Sequence, residues 1–408
     1  MAVLSGVVSG RSTLLLLLWL AETARSFQPI TSHQKIRHVK SSLNVASTKS
    51  GLKTPGSAKL DVAWEDLGFE FRPTNSHLKI TYKEGKGWGE PELVKDPYVN
   101  LHIGATALHY GQTCFEGLKA YCHDDGKVHM FRPEENAKRM QSSCRRIMMP
   151  ELPTEIFVDA VKTVVRDNIE FVPPYGSGGA LYIRPLLFGA GCRIGVQPAD
   201  EYQFLIMVIP VGDYYKGGLA SPVDCMIIED FDRAAPRGVG NVKVAGNYAA
   251  DLLPNMLSKK KGFQIGLYLD AKTQTHIEEF STSNFVGIDN VNKRLITPKS
   301  PSVLPSITNK SLMQIARDIG FDVEEREIPF EELASLDEIL AVGTAVVVTP
   351  VGSVTRFQKV SPDSEEVNEV KYNFGKEIGP TTLKLYERVR AVQNGEIEDV
   401  HGWNIPLN

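Results

Sequence analysis

One lysine stands where covalent chemistry with a carbonyl compound is feasible. In Arg233-Ala234-Ala235-Pro236-Arg237-Gly238-Val239-Gly240-Asn241-Val242-Lys243-Val244-Ala245-Gly246-Asn247-Tyr248, Lys243 follows two glycines and precedes an apolar helical stretch. Glycines let backbone approach a flat ligand closely. A lysine against such a surface loses hydration, which disfavours its ammonium form and readies the amine to form a Schiff base with an aldehyde. Solvated loop lysines are the rule, so on spacing alone a surface reading stays open.

Three further motifs could supply a pocket: His109-Tyr110-Gly111-Gln112-Thr113-Cys114-Phe115-Glu116-Gly117-Leu118-Lys119-Ala120-Tyr121, Tyr182-Ile183-Arg184-Pro185, and Gly343-Thr344-Ala345-Val346-Val347-Val348-Thr349-Pro350-Val351-Gly352. In this order, with the lysine segment, they resemble the branched-chain amino acid aminotransferases, fold-type IV enzymes that use pyridoxal 5'-phosphate. The resemblance runs from about Phe69 to the C-terminus, and the last segment through Gly402-Trp403 is similar to plant-type members.

The resemblance implies specific roles. Lys243 would hold the cofactor covalently and, once released, carry the proton at the substrate α-carbon. Glu279, in Glu279-Phe280-Ser281-Thr282-Ser283-Asn284, matches the acid opposite the ring nitrogen; Glu278 is the alternative, since neighbouring strand residues face opposite sides. Tyr248 matches the partner of the cofactor's phenolic oxygen, against the plainer reading of a core tyrosine. Arg139, Thr282, Thr344 and the backbone at Ile307 and Thr308, where a helix begins, match the remaining cofactor contacts, the phosphate among them.

For the substrate, the resemblance implies that Thr344, Ala345 and Tyr182 bind the α-carboxylate. Phe115, Tyr110, Tyr248 and, from a neighbouring subunit, Val196 would enclose an aliphatic side chain. Arg184 matches the arginine associated with the distal carboxylate of glutamate. The implied reaction is reversible amino transfer between leucine, isoleucine or valine and 2-oxoglutarate, carried out by a homodimer. No role is assigned to Arg233.

Three departures stand out. The usual Leu-Pro-Gly-(Ile/Val)-Thr-Arg becomes Leu304-Pro305-Ser306-Ile307-Thr308-Asn309, so a glycine suited to positive φ is a serine, which puts the phosphate site in question. Pro254 should kink the helix after Tyr248 or shift its start. The redox Cys-x-x-Cys of some animal members is replaced at Val346 and Thr349.

Other chemistries compete for the same residues. Gly189-Ala190-Gly191-Cys192-Arg193-Ile194-Gly195 approximates a dinucleotide-binding loop, but Pro198 and a strand-like run follow where the phosphate-capping helix should begin. A D-amino-acid aminotransferase or an aminodeoxychorismate lyase would share much of the cofactor site, but the D-specific Arg-x-His is absent, Arg193 being followed by Ile194 and Gly195. A non-catalytic relative is the remaining alternative, motivated by Ser306 and Asn309.

The elements that must carry these residues read as mixed α/β or α+β. Helices are expected near Glu134–Met148, Thr154–Ile169, Ser311–Ile319 and Thr381–Gln393, and strands near 202–211, 223–228, 265–269, 284–288 and 295–297. The breaker-rich stretch 212–222 reads as a linker between a small N-terminal domain, 61–211, and a larger one, 223–408. A net charge of -4 gives no field for nucleic acid, and five scattered cysteines give neither a disulfide framework nor a zinc site.

Residues 1–60 read as a targeting presequence. Leu14–Ala21 is a signal-like apolar core too short to span a bilayer, and 23–60 is basic and free of acidic residues. With Arg25-Ser26-Phe27-Gln28-Pro29 it resembles the bipartite plastid presequences of algae, which favours a plastid; a mitochondrial presequence is the alternative, and secretion is disfavoured by the cysteine usage. No membrane segment is expected in the mature form.

Overall fold

Apolar residues in the first half build a mixed-length antiparallel sheet backed by two amphipathic helices, as seen in a computed structural model that describes residues 53–212, 219, 221–359, 364 and 366–408. Its strands are β1 (His77–Lys83), β2 (Gly87–Trp88), β3 (Glu92–Val94), β4 (Thr113–Phe115), β5 (Leu118–Cys122), β6 (Val128–Phe131), β7 (Ala180–Gly189) and β8 (Glu201–Val211). Helix α1 (Thr106–Tyr110) precedes β4, while α2 (Pro133–Arg146) and α3 (Thr154–Asp167) cover the sheet. In α3, Phe157, Ala160, Val161, Val164 and Val165 recur at helical spacing and are buried against Leu78, Ile80, Ile183 and Phe204.

β7 ends at Gly189 and the chain returns as β8, antiparallel over the full length from Ala180 opposite Val211 to Gly189 opposite Tyr202. No helix follows Gly189, which removes the dinucleotide-loop reading.

The second sheet holds β9 (Val223–Ile227), β10 (Ile265–Leu269), β11 (Ile277–Phe280), β12 (Asn284–Asp289), β13 (Arg294–Pro298), β14 (Asp322–Arg326), β15 (Glu338–Gly343), β16 (Val347–Lys359) and β17 (Val367–Asn373). Its order β11-β10-β9-β16-β15-β12 closes through a β11–β12 pairing, so these strands form a ring, with β13, β14 and β17 outside it. Parallel pairs (β9 with β10 and with β16) mix with antiparallel ones, the α+β character expected.

Helices α4 (Ala245–Ala250) and α5 (Leu252–Lys260) break at Asp251. Pro254 sits in the first turn of α5, where its missing N–H leaves no intrahelical bond unmade, so the break is the shifted start the sequence suggests. Helix α6 (Ile307–Asp318) begins where the Ile307-Thr308 motif places a helix start, four residues ahead of the stretch expected from periodicity at Ser311, and α7 (Pro380–Gln393) packs beside it. The final strand β18 (Asn404–Pro406) returns to the first sheet and pairs with β6. Both sheets belong to one compact unit, residues 52–408.

The expected presequence lies outside the described residues as far as residue 52. Contacts with the body begin before the boundary expected at 61: Lys53 pairs with Glu170 at 2.7 Å, and the Gly56 and Ala58 amides donate to the Val172 and Glu170 carbonyls at 2.8 and 3.0 Å. Of the expected linker, residues 212, 219, 221 and 222 are described. Among the described residues no helix is long and apolar enough to cross a membrane.

Candidate active site

Lys243 is strapped in place from both sides. Its amide donates to Ser143 Oγ of α2 at 2.9 Å, its carbonyl accepts from the Phe115 amide of β4 at 3.1 Å, and Val244 bridges Cys114. The side chain enters a cavity of about 540 Å³, a volume suited to a cofactor with its substrate. There Nζ lies 2.7 Å from Tyr248 Oη, 4.7 Å from the centre of the Phe115 ring and 5.0 Å from that of Tyr248. Burial, helped by the nearby Arg139 guanidinium, lowers its pKa to about 8. Burial raises the Tyr248 phenol to about 12, so it keeps its proton at neutral pH.

Of the two adjacent acids, Glu279 faces this centre. It is 2% exposed, accepts from the Leu304 amide at 3.2 Å, and lies 2.7 Å from Arg233 Nη1. Burial lifts its pKa to about 7 despite the attraction of Arg233. Glu278 turns to the other side and takes a 2.5 Å hydrogen bond from Ser300 Oγ.

Arg139 comes from α2 and reaches the start of α6. Nε and Nη2 donate to the two oxygens of Glu116 at 2.8 and 2.7 Å, and Nη1 donates to the Pro305 carbonyl at 3.0 Å. Glu116 is fully buried and also accepts from Asn136 Nδ2 at 2.7 Å. This bidentate clamp fixes the guanidinium on the wall of the Lys243 cavity, next to the Pro305 carbonyl just ahead of α6, while Ile307 and Thr308 line an adjoining narrow cleft; Gly117 and Thr344 border both. Sequence reasoning gave Glu116 no role; a carboxylate inside the apolar run Cys114–Leu118 was the available signal, since buried acids are paired.

The backbone at Ser306 does not need a glycine. Its φ is -82° and ψ 132°, so no positive φ is required, and Ser306 caps α6 by accepting from the Asn309 amide at 3.1 Å. Asn309 is turned away and donates to Thr297 Oγ1 at 2.9 Å, a structural tie to β13. Ser306→Ala is expected to cost about 1 kcal/mol in urea unfolding of the cofactor-free protein and Ser306→Gly only about a few tenths.

On the substrate side, the turn at Thr344 and Ala345 lines the cavity. Lys119 Nζ donates to the Ala345 carbonyl at 3.0 Å, and Val347 is held at φ 62°, a conformation a β-branched residue adopts only when its surroundings impose it. Tyr182 Oη accepts from Arg184 Nη2 at 2.9 Å, and the Arg184 guanidinium lies 4.9 Å from the Phe115 ring centre. Gly117 makes room for this arrangement: a Cβ there would come within 2.3 Å of Tyr182 Oη. Thr282 lines the same cavity, between β11 and β12.

Of the expected residues, Ile307 and Thr308 line the adjoining cleft and Glu279 is not among those lining the cavity, while Val196 and Tyr110 are exposed. Val196 is 88% exposed. Tyr110, expected on the pocket wall of its own chain, is 42% exposed and bonds through its hydroxyl to the Ile194 carbonyl. Its place at the end of α1 directs it to the loop that carries Val196 rather than inward.

The residues present fit a phosphorylated pyridine aldehyde. An amine of lowered basicity, a buried acid close to it, a phenol that keeps its proton, and a clamped guanidinium just ahead of a helix start supply one partner for each polar group of such a molecule.

The class IV aminotransferase family matches residues 113–354. The branched-chain-amino-acid aminotransferase of Haemophilus influenzae is 46% identical over 353 residues, covering 85% of this chain and 99% of that protein. Branched-chain amino acid aminotransferase 2, chloroplastic, of Humulus lupulus is 42% identical, covering 85% and 82%. The crystal structure of the Escherichia coli branched-chain amino acid aminotransferase superposes with a TM-score of 0.66 at 28% identity, covering 81% and 99%. A clamped lysine centre, a family match across both sheets and this likeness over nearly the whole length of the relatives lead to one conclusion: the chain belongs to the class IV aminotransferases, in their branched-chain amino acid branch.

Proposed function

We propose that this chain catalyses reversible amino transfer between leucine, isoleucine or valine and 2-oxoglutarate, with pyridoxal 5'-phosphate held by Lys243. The observation that carries the reading is the Lys243–Tyr248 contact inside a cavity lined by Phe115 and by the Arg184 guanidinium that lies over its ring. When bound, the cofactor would supply an aldehyde carbon that receives the amino group and a ring that accepts the electron pair left when the α-proton is removed.

The protein's own residues do the rest. Lys243 Nζ, neutral above about pH 8, accepts the proton from the substrate α-carbon and returns it to the carbon that needs it. Glu279 keeps a proton on the ring nitrogen, and Tyr248 donates to the phenolic oxygen. Arg139 and the first turn of α6 bind the phosphate, with Thr282 and Thr344 completing the contacts. Thr344, Ala345 and Tyr182 fix the substrate carboxylate, so the side chain is directed toward Phe115 and Tyr248. An aliphatic side chain is accommodated by the rings, and the distal carboxylate of glutamate by Arg184 at the rim. In a purified preparation L-leucine, L-isoleucine and L-valine should each convert 2-oxoglutarate to glutamate, with D-alanine at least about 100-fold slower. Comparable rates with D-alanine would favour the D-specific relative instead.

The active unit is proposed to be a homodimer in which Val196 and Tyr110 of one subunit close the cavity of the other. Their joint exposure and the tie between Tyr110 and Ile194 support this. Mixed dimers of Val196→Asp and Lys243→Ala chains should regain activity that neither variant shows alone; no recovery on mixing would remove the shared site. Two domains, 61–211 and 223–408 joined by 212–222, are proposed as the frame, with β18 returning to the first. Plastid targeting by residues 1–60 is the proposed location, supported by the chloroplastic relative.

A further inference from the structure

Arg233 is a buried cation to which the reaction so far gives no task. Its side chain is 5% exposed, in the loop between β9 and α4. Nη1 lies 2.7 Å from Glu279 Oε1 without the alignment of a hydrogen bond, and Nε has no acceptor among the described residues. Such a guanidinium is not there to satisfy its own donors, and its main effect on Glu279 is electrostatic.

The surroundings of Glu279 make that charge matter. Lys243 faces it from the segment before α4, Glu278 is next to it on β11, and the Leu304 amide donates to Oε1 from the loop before α6. Arg233 also acts on Tyr248 of α4, on Asp251 at the break before α5, and on Tyr268 of β10, whose hydroxyl bonds Asp251 at 2.5 Å. Lys243 loses its charge above about pH 8, so Arg233 is the cation that opposes neutralisation of Glu279 across the working range. Both contacts fall on Oε1, which leaves Oε2 to a further partner.

We propose that Arg233 is a positioning residue that holds Glu279 as a carboxylate with Oε2 turned to the cofactor's ring nitrogen, so that the nitrogen keeps its proton. The inference rests on the aminotransferase reading. Without the guanidinium, the buried acid takes the proton itself and the ring nitrogen is left unprotonated. An opposite charge at this distance shifts a carboxyl by about 1–3 pH units, so its loss moves the ionisation of Glu279 up by a similar amount.

The test uses the holoenzyme loaded with cofactor 15N-labelled at the ring nitrogen. Wild type should give a protonated nitrogen signal and transaminate leucine; failure of that control would count against the function itself and not against this inference. Arg233→Gln should move the signal toward the unprotonated position at pH 7.5 and raise the acid limb of the kcat/KM profile by at least about 1 unit. Arg233→Lys should restore both. A protonated signal and an unshifted limb in Arg233→Gln would overturn the proposal. If Arg233→Gln fails to fold, the double variant Arg233→Gln/Glu279→Gln decides: a folded double variant supports an uncompensated buried carboxylate as the fault, and an unfolded one makes Arg233 merely structural.

Discussion

The Lys243→Ala protein is expected to fold and yet to lose transamination of leucine by at least about 10⁴-fold, the upper range for removing a positioned acid–base group, with the covalent anchor lost as well. Folding should survive because the amine contributes little to stability: burial beside Arg139 already disfavours its charged form. Lys243→Arg should not restore activity, since a guanidinium stays protonated and cannot attack a carbonyl. The same physics predicts a pH dependence. Only the neutral amine captures an aldehyde, so the rate at which cofactor-free protein takes up pyridoxal phosphate should rise with pH through about 8 and then level. Stopped-flow absorbance at a series of pH values measures it, and a rate that falls across that interval would contradict the assigned base.

Glu279→Gln is expected to lower kcat by about 10²–10³-fold while leaving the protein folded, the loss typical of deleting one preorganised electrostatic partner in a dry site. Glutamine has the shape but cannot carry the negative charge that keeps a ring nitrogen protonated. Cofactor-free protein gives an independent check through stability. The acid ionises near 4.5 when unfolded but near 7 in place, so between those values the folded state binds more protons than the unfolded one. Stability of the wild type therefore falls as pH rises through that window, and the variant lacks this contribution. The Tm difference, variant minus wild type, should accordingly increase from pH 4.5 to pH 7. A flat difference would mean that Glu279 is not the strained acid described here.

How much of this was legible beforehand depends on the kind of signal. Lys243, Tyr248 and Arg184 were legible because they sit in local motifs and Arg139 only through the family resemblance, and one cavity brings the four together. The choice of Glu279 over Glu278 was legible in part, because strand alternation forces adjacent side chains apart but does not say which one faces the site. Helices α2, α3 and α7 fell within two residues or so of expectation, since their apolar period is strong. The start of α6 was legible in the motif at Ile307 and Thr308 but not in the apolar period, which begins only at Ser311. Closure of the second sheet into a ring and the return of β18 to the first depend on long-range pairing that no local period records. The clamp of Arg139 by Glu116 and the pairing of Arg233 with Glu279 were hidden for the same reason: their partners are 23 residues apart in one case and lie on different elements in the other. The outward turn of Tyr110 toward Ile194 was not legible, because a motif says which residues are near a site and not which way each side chain points.

The bond between Lys243 and the cofactor can be tested directly by reducing the holoenzyme with borohydride, digesting it and sequencing the modified peptide by mass spectrometry. The added mass of the reduced cofactor should sit on Lys243 and disappear when L-leucine is added before reduction. Attachment at any other lysine, or a modification that leucine does not remove, would contradict the account at its centre.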